Sequence, residues 1–357
     1  MPLLAHKRTS AFEMTEMTEE KGEMGMGKKK TGQPMTGKKH YEEIDICRGM
    51  GIVLVVLGHA LKQTGETNSF FDVLLSVIYS FHMPLFFFLS GFVSLKMLYF
   101  RAGKERLDYI KNRAFRLLIP YFTVGILYLP LKYVLSRYAV KPYDFSSTWK
   151  LFFGENPNTA LWFLYVLFLV SLVCVLILRE KNVLYVLAGS FALTVAACCF
   201  GWPWKLPKYA FFFVLGIFVR LHYENWFQKV KWNRIWVAAA VFAAANAALY
   251  LTDLEVLWDV TALAGIVMCL QFGKWIAERK GKAEEFFAFL GAYSMDIYIL
   301  SEPLNTAAKL LFWSFLKWNY LICTLLCFLI SLGLPIPVSK HIVRKVKALR
   351  IGILGVN

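Results

Sequence analysis

The sequence from Asp45 to His59 reads DICRGMGIVLVVLGH, an apolar run with charged residues near its start and a histidine at its end. Arg48 and His59 are eleven residues apart, which in an α-helix corresponds to about three turns and about 16 Å of rise. The rotation is within about 20° of whole turns, so both side chains lie on nearly the same face, and Asp45, one turn before Arg48, can share it. In a membrane helix this spacing places a cation at one water interface and an ionisable ring within the apolar layer.

The composition of the chain is typical of an integral membrane protein. The chain has 357 residues, 58% of them hydrophobic, and a mean hydropathy of +0.50. Soluble domains are less apolar, and the apolar residues here fall in runs that suit repeated spans of about 20 residues each. The net charge is +16. Because the basic residues lie between the apolar runs, they indicate positive-inside topology and not a nucleic-acid partner.

The apolar runs predict an all-α integral membrane protein that crosses the lipid bilayer of the plasma (cytoplasmic) membrane about ten times. With both termini placed in the cytoplasm, 31 of the 40 Lys and Arg residues fall in segments predicted to lie inside, which supports this topology. The predicted spans are 46–64, 70–95, 117–139, 159–178, 182–200, 207–221, 235–251, 256–273, 286–313 and 319–338.

Two basic segments flank the predicted membrane domain, which covers residues 41–340. Residues 1–40 are polar and rich in lysine, and they contain no apolar core of a signal peptide. They therefore predict a disordered cytoplasmic tail, and residues 341–357 predict a second basic cytoplasmic tail. The seven cysteines show no spacing typical of a metal site or a disulfide framework, so we expect no metal.

Two histidines lie inside predicted spans, where ionisable side chains are costly and suggest function. A neutral imidazole at His59 in a dry site can take a proton from a hydroxyl group, as a general base does. His82 lies two residues before Pro84, which is expected to kink or interrupt its helix and open a polar pocket lined by His82. The structural alternative for either histidine is a hydrogen bond to a neighbouring helix.

Three arginines lie at predicted cytoplasmic ends of spans. Arg48 is at the mouth of the first span, where Asp45 could orient it. Arg113 and Arg116 are neighbours on one helical face at the start of the third span. Guanidinium groups bind phosphate well, so this set suits a phosphorylated ligand such as a nucleotide. It also suits lipid headgroups, and the spacing leaves both possibilities open.

The ninth predicted span contains Asp296 and Glu302, two intramembrane acids expected to face a cavity or a charged partner. His59 and His82 are candidate partners, but the sequence does not determine the pairing. No Walker loop, GxGxxG or HExxH motif occurs in the chain. ATP-driven transport and zinc proteolysis therefore have no support from sequence motifs.

Taken together, these motifs resemble the membrane-bound acyltransferase family 3, and within it the fucose 4-O-acetylase-like or surface polysaccharide O-acetyltransferase branch. The resemblance extends over residues 41 to about 305 and rests on the order and spacing of several stretches. These are Arg48-x10-His59 with Asp45 before it, FHMPLFFFLSG at 81–91, RLLIPY at 116–121, LWFL at 161–164, and LGAYSMDIY at 290–298.

The resemblance implies a ten-helix enzyme that uses cytoplasmic acyl-CoA, usually acetyl-CoA, as its acyl-donor substrate. It also implies that the acceptor is a sugar hydroxyl of a cell-surface polysaccharide or of its lipid-linked precursor. In this family Arg48 and His59 correspond to the essential pair. One departure concerns the last block, where many relatives have a histidine at the position of Ser301, which Glu302 follows here.

The combined hypothesis gives catalytic roles to His59 and Arg48, with Asp45 orienting Arg48. Substrate-binding roles fall to Arg113, Arg116, His82, Tyr298 and Glu302, with Tyr298 or Ser90 as alternative donors to the developing oxyanion. Direct transfer and a covalent acyl-histidine relay both remain open. The alternative functions are a transporter or exporter of a polar solute or glycan precursor, and a non-catalytic partner of glycan assembly. The oligomeric state is not readable from the sequence.

Overall fold

The computed structural model describes residues 40–62, 69–135, 143–200, 205–223, 235–252 and 254–356. Within these ranges the chain forms helices joined by short segments, and no β-strand occurs. The prediction of an all-α integral membrane protein is confirmed. The predicted tail at 1–40 lies outside the described residues except for its last position.

Thirteen α-helices are named here in chain order, with their bounds given at the end of this paragraph. Short 3₁₀ segments occupy some of the connections, and π-helical turns occupy Leu310–Phe315 and Ser339–Val343. The helices are α1 (Glu42–Leu61), α2 (Ser69–Phe92), α3 (Gly103–Leu135), α4 (Trp162–Ile177), α5 (Val183–Cys199), α6 (Lys205–His222), α7 (Ile235–Thr252), α8 (Glu255–Arg279), α9 (Lys282–Ala292), α10 (Ser294–Lys309), α11 (Tyr320–Gly333), α12 (Pro335–Val338) and α13 (Lys347–Leu354).

In the described part of the chain, eight helical stretches are long and apolar enough to cross a membrane. The other two predicted spans correspond to α6 and to the pair α9–α10. Helix α6 has 18 residues and carries basic side chains at both ends. The predicted span 286–313 is not one helix, because the chain changes from α9 to α10 at Tyr293. The count of ten spans and the side of the membrane on which each terminus lies remain predictions.

Two local expectations differ from the structure. Helix α2 is not interrupted at Pro84. It packs against α6 and α8, and neighbouring helices allow a membrane helix to tolerate a proline. Helix α3 begins at Gly103, well before the predicted start of its span at 117. Its first turn is capped by Glu105, whose carboxylate accepts the backbone N–H groups of Arg101 and Ala102. Hydropathy detects only the apolar part of this helix.

Helix α1 lies at the centre of the bundle and packs against α2, α8, α9, α10 and α11. Its contact with α9 is a direct approach of two backbones. A Cβ atom on Gly49 would lie 1.9 Å from the carbonyl oxygen of Phe287, and one on Gly291 would lie 2.1 Å from that of Asp45. Small residues permit such close packing between membrane helices. The start of α1 is thereby held against the α9–α10 junction.

The C-terminal segment is structured and packs on the bundle. Helix α13 contacts α3, and Leu354 at its end is buried. Part of the basic tail predicted at 341–357 is therefore a docked helix. A helix of eight residues that contains Lys347 and Arg350 has no hydropathy signal of its own, so sequence patterning does not reveal its packing.

Candidate active site

A cavity of ≈ 140 Å³ lies at the start of α1, between that helix, α2, α3, α4, the α9–α10 junction and the C-terminal segment. Four arginines line it, namely Arg48, Arg113, Arg116 and Arg344. Three of them are the arginines for which the sequence analysis left a phosphorylated ligand and lipid headgroups both open. Their convergence makes the wall of the cavity rich in cationic hydrogen-bond donors, which suits an anion.

The position of Arg48 is fixed by its neighbour on the same helix. Its Nη1 donates to Oδ1 of Asp45 at 2.8 Å, and Nε2 of His40 lies 3.3 Å from Oδ2 of Asp45. Both side chains of the Asp45–Arg48 pair also line the cavity. The contact expected between Asp45 and Arg48 is therefore present, and a charged bond of this kind holds the guanidinium in one orientation.

Arg113 is positioned by uncharged groups. Its Nη2 donates to the hydroxyl of Ser94 at 2.6 Å, and its Nε donates to the hydroxyl of Tyr109 at 3.0 Å. The guanidinium carbon also lies 5.3 Å from the centre of the Tyr109 ring. Because these partners are neutral, they orient the guanidinium without neutralising its charge. The backbone of Arg116, one turn further along, contacts Gly355 of the C-terminal segment.

Asp296 pairs with an arginine that the sequence analysis placed in the tail. The carboxylate accepts Nε and Nη2 of Arg344 at 3.0 and 2.8 Å on Oδ2, with a further Nη2 contact of 3.1 Å on Oδ1. The hydroxyl of Ser339 donates to the same carboxylate. Asp296 is only 3% exposed, and a buried carboxylate needs a partner of this kind. The two groups are 48 positions apart in the chain, so sequence patterns do not reveal the pairing.

The other end of α1 carries a second polar pair, His59 and Glu302. Nδ1 of His59 lies 3.0 Å from Oε2 of Glu302, and the two side chains are 25% and 19% exposed. The contact has the distance of an ion pair, and among the described residues Oε2 of Glu302 has no hydrogen-bond partner. Because a carboxylate only accepts, a proton on Nδ1 would turn the contact into a hydrogen bond and would leave Nε2 as the acceptor nitrogen. The sequence analysis named His59 as one candidate partner of Glu302. The structure selects it and gives His82 no such contact.

Helix α10 also holds the last turn of α1 in place. The carbonyl of His59 accepts Nζ of Lys309 at 2.7 Å and Nδ2 of Asn305 at 3.1 Å, and the carbonyl of Lys62 accepts the same Nζ at 2.6 Å. Carbonyls in the last turn of a helix have no partner within the helix, and a cation satisfies them well. The sequence analysis missed Asn305 and Lys309. Their spacing from Glu302, three and seven residues, is the signal that places them on one helical face.

The inner end of the cavity comes close to this second pair along three helices. Val55, Met83 and Tyr298 line the cavity. Val55 precedes His59 by one turn, and Tyr298 precedes Glu302 by one turn. The hydroxyl of Tyr298 donates to the carbonyl of Ala160. The cavity therefore extends from the Arg48 end of α1 to about one helical turn short of His59.

His82 is not among the residues that line this cavity, and its substrate-binding role stays a prediction. His82 is buried, its Nδ1 lies 2.8 Å from the carbonyl oxygen of Ile78, and its ring packs against Tyr79. Its neighbour Met83 lines the cavity in its place. Ser301, at the position where many relatives have a histidine, is buried and donates to the carbonyl of Tyr298 on its own helix. The acid that reaches His59 is the adjacent Glu302.

Comparison with known proteins identifies the family of the chain. A family model described as "Acyltransferase domain" matches residues 41–339. The nodulation protein NolL of Mesorhizobium japonicum is 25% identical over 208 residues, which are 56% of this chain and 53% of that protein. The chain thus spans about half the length of this curated relative, and no solved structure matches it significantly. The family match includes α1 to α12 and both polar ends of α1, and on that ground this multi-pass membrane protein belongs to acyltransferase family 3.

Proposed function

We propose that the protein is a membrane O-acyltransferase that moves an acyl group, in the first instance acetyl, from cytoplasmic acyl-CoA to a sugar hydroxyl of a cell-surface polysaccharide or its lipid-linked precursor. The plasma membrane is the proposed location, because it gives access to both substrates. The observation that carries this proposal is the arginine-lined cavity that extends from Arg48 to within one turn of the His59–Glu302 pair.

The proposed binding site of the acyl donor is inferred from the charge of the cavity wall. Coenzyme A carries phosphate groups at one end and a thioester at the end of a narrow pantetheine arm. The cavity offers Arg48, Arg113 and Arg116 to the phosphates, and guanidinium groups bind phosphate in a defined geometry. Deeper in the cavity the wall becomes apolar, with Val55, Met83 and Phe163 among its residues, which suits the pantetheine arm.

The proposed site of reaction with the sugar hydroxyl is inferred from the proton transfer that the reaction needs. Glu302 holds His59 with Nδ1 protonated, so Nε2 takes the proton of the sugar hydroxyl while its oxygen bonds to the thioester carbonyl carbon. The carbon–sulfur bond then breaks, and the leaving thiolate takes the proton from Nε2. The products are the sugar ester and free coenzyme A, and His59 returns to its starting state. Glu302 acts through His59 and is a positioning residue in this scheme.

The transporter alternative rests on buried ionisable groups. In the structure Asp296 is paired with Arg344, and Glu302 is in contact with His59. The ion pair with Arg344 satisfies the buried charge of Asp296 without a transported solute. The transporter remains as an outcome of the experiment that follows.

The test uses the purified protein in liposomes with acetyl-CoA labelled in the acetyl group and a crude extract of lipid-linked glycans from the source organism. Wild type is compared with His59→Gln. The matched control is His341→Gln, since His341 is exposed and does not line the cavity. Folding of each variant is checked first by its thermal unfolding midpoint.

We expect acceptor-dependent label in a base-labile ester for wild type and His341→Gln, and none above background for His59→Gln. Label that persists in His59→Gln would show that His59 is not the general base, while the protein would still be an acyltransferase. Movement of an acetylated or unmodified glycan across the bilayer, with no ester formed although acetyl-CoA is present, would favour the transporter.

A further inference from the structure

We propose that the C-terminal segment 344–356, which lies beyond the matched acyltransferase domain at 41–339, completes the donor-binding cavity and that Arg344 binds the anionic part of the acyl donor. This inference rests on the proposed function, because it takes acyl-CoA as the ligand. Three residues of the segment, Arg344, Leu354 and Val356, line the cavity together with Arg48 and Arg116. The segment is therefore a wall of the site.

Arg344 is held in one orientation by hydrogen bonds and retains a hydrogen-bond donor group for a ligand. Asp296 and Ser339 contact its Nε and Nη2, which fixes the plane of the guanidinium. Among the described residues, Nη1 has no hydrogen-bond partner. The side chain is 29% exposed and lines the cavity. A guanidinium presents donors along more than one edge, so Arg344 can hold Asp296 with one edge and a phosphate with another.

Contacts at Gly355 hold the C-terminal segment against α3. Gly355 has a φ of +61°, and its N–H donates to the carbonyl of Ile351 at 3.0 Å, which ends α13. A Cβ atom at this position would lie 2.8 Å from the Cα and carbonyl oxygen of Arg116. A glycine is needed here both for the backbone conformation and for the close approach. The contact places Val356 and Leu354 beside Arg116 on the cavity wall.

A purely structural role for Arg344 makes a different prediction. If Arg344 serves only to neutralise the buried Asp296, then Arg344→Gln harms the protein through the unpaired carboxylate. The double variant Asp296→Asn with Arg344→Gln removes both charges and should then restore donor binding. If Arg344 contacts the donor, the double variant still binds the donor weakly, although the buried charge is gone.

The experiment measures the dissociation constant of acetyl-CoA for the full-length protein in nanodiscs. Variants are Arg344→Gln, the double variant, and Gly355→Ala, which alters the contact of the segment with α3 without changing any charge. The matched control is Lys345→Gln, because Lys345 is the adjacent basic residue, is exposed and does not line the cavity. A second ligand, acetyl-CoA without its 3′-phosphate, shows whether Arg344 acts on that group. Thermal unfolding midpoints report the fold of each variant.

We expect Arg344→Gln and the double variant to weaken acetyl-CoA binding by about tenfold, the loss of one charged hydrogen bond, and Lys345→Gln by less than about twofold. Gly355→Ala should also weaken binding, and it should lower the thermal unfolding midpoint, because its Cβ atom would meet the backbone of Arg116 at a residue with positive φ. Wild-type affinity in the double variant, or equal losses for Arg344→Gln and Lys345→Gln, would overturn the inference and leave the proposed function intact. Failure of wild type to bind acetyl-CoA at all would overturn the proposed donor and the inference with it.

Discussion

The two ends of helix α1 are built in different ways. At the Arg48 end, the cavity collects side chains from α1, α3, the α9–α10 junction and the C-terminal segment, and no single helix supplies the site. At the His59 end, Glu302, Asn305 and Lys309 all come from one face of α10. The first end spreads the recognition of an extended ligand over many donors. The second holds one imidazole in one orientation.

This difference predicts that substitutions at one end reduce donor affinity and substitutions at the other reduce the rate of reaction. Many donors share the binding of an extended anion, so the removal of one weakens affinity and leaves the rest of the site in place. A single proton acceptor has no substitute, so its removal stops the reaction. Substitutions at the His59 end should therefore lower kcat, and those at the Arg48 end should raise the Kd of the donor. The predictions below test that division, beginning with the largest effect.

The first prediction concerns the base itself. His59→Gln keeps the size and polarity of the side chain but has no basic nitrogen, so we expect kcat to fall by about a thousandfold. The Kd of acetyl-CoA should change by less than about twofold, because the arginines of the cavity are untouched. Ester formation and acetyl-CoA binding are measured on the same preparation. A loss of donor affinity as large as the loss of kcat would break the division between the two ends.

The second prediction concerns the group that orients the base. Glu302→Gln replaces the carboxylate that contacts Nδ1 of His59 with a neutral amide. The amide fixes the orientation and the tautomer of the imidazole less strongly than the carboxylate does. We expect kcat to fall by about a hundredfold with donor affinity unchanged, less than the loss of the base. Glu302→Asp serves as the comparison, since it retains the charge at a longer distance. If Gln and Asp give equal kcat values near wild type, Glu302 does not position His59.

The sequence predicts those features that depend on composition and local periodicity. The all-α membrane fold follows from the length of the apolar runs, and the Asp45–Arg48 contact follows from residues three positions apart on one helix. Arg113 and Arg116 converge with Arg48 on one cavity, as the shared preference of guanidinium groups for anions suggests. Each of these inferences needs only the spacing of neighbouring residues or the charge bias of whole segments.

The sequence does not predict the contacts that depend on how helices pack. Asp296 pairs with Arg344 and Glu302 with His59 because α10 lies beside both the C-terminal segment and the end of α1. Hydropathy likewise treats 286–313 as one span, since both halves are apolar, and it gives no sign that the chain breaks at Tyr293. The expected role of His82 was inferred from Pro84; in the structure α2 is continuous at Pro84 and His82 is buried, and its role stays a prediction.

The third prediction concerns one arginine of the cavity. Arg113→Gln removes a guanidinium whose hydrogen-bond partners, Ser94 and Tyr109, are neutral. Because these partners do not offset its charge, the donor site loses a full positive charge. We expect the Kd of acetyl-CoA to rise by about tenfold while kcat at saturating donor changes little. Arg113→Lys keeps the charge but replaces the planar guanidinium, whose Nε and Nη2 bond Tyr109 and Ser94, with a single ammonium nitrogen, and it should give an intermediate Kd. A fall in kcat at saturation would instead place Arg113 in the chemical step.

The smallest effect is expected at Lys309, whose ammonium group donates to backbone carbonyls at the end of α1 and also lies close enough to Glu302 to interact with its charge. Lys309→Met keeps the length of the side chain but removes the cation that bonds the carbonyls of His59 and Lys62, at a cost of about 1 kcal/mol in stability. The thermal unfolding midpoint should fall by a few degrees and kcat by less than about tenfold, because His59 keeps its contact with Glu302. Lys340→Met is the control, since Lys340 is exposed and donates no hydrogen bond to α1. A loss of kcat as large as that of Glu302→Gln, at unchanged thermal stability, would show that Lys309 takes part in the reaction and does not merely cap the helix that carries the base.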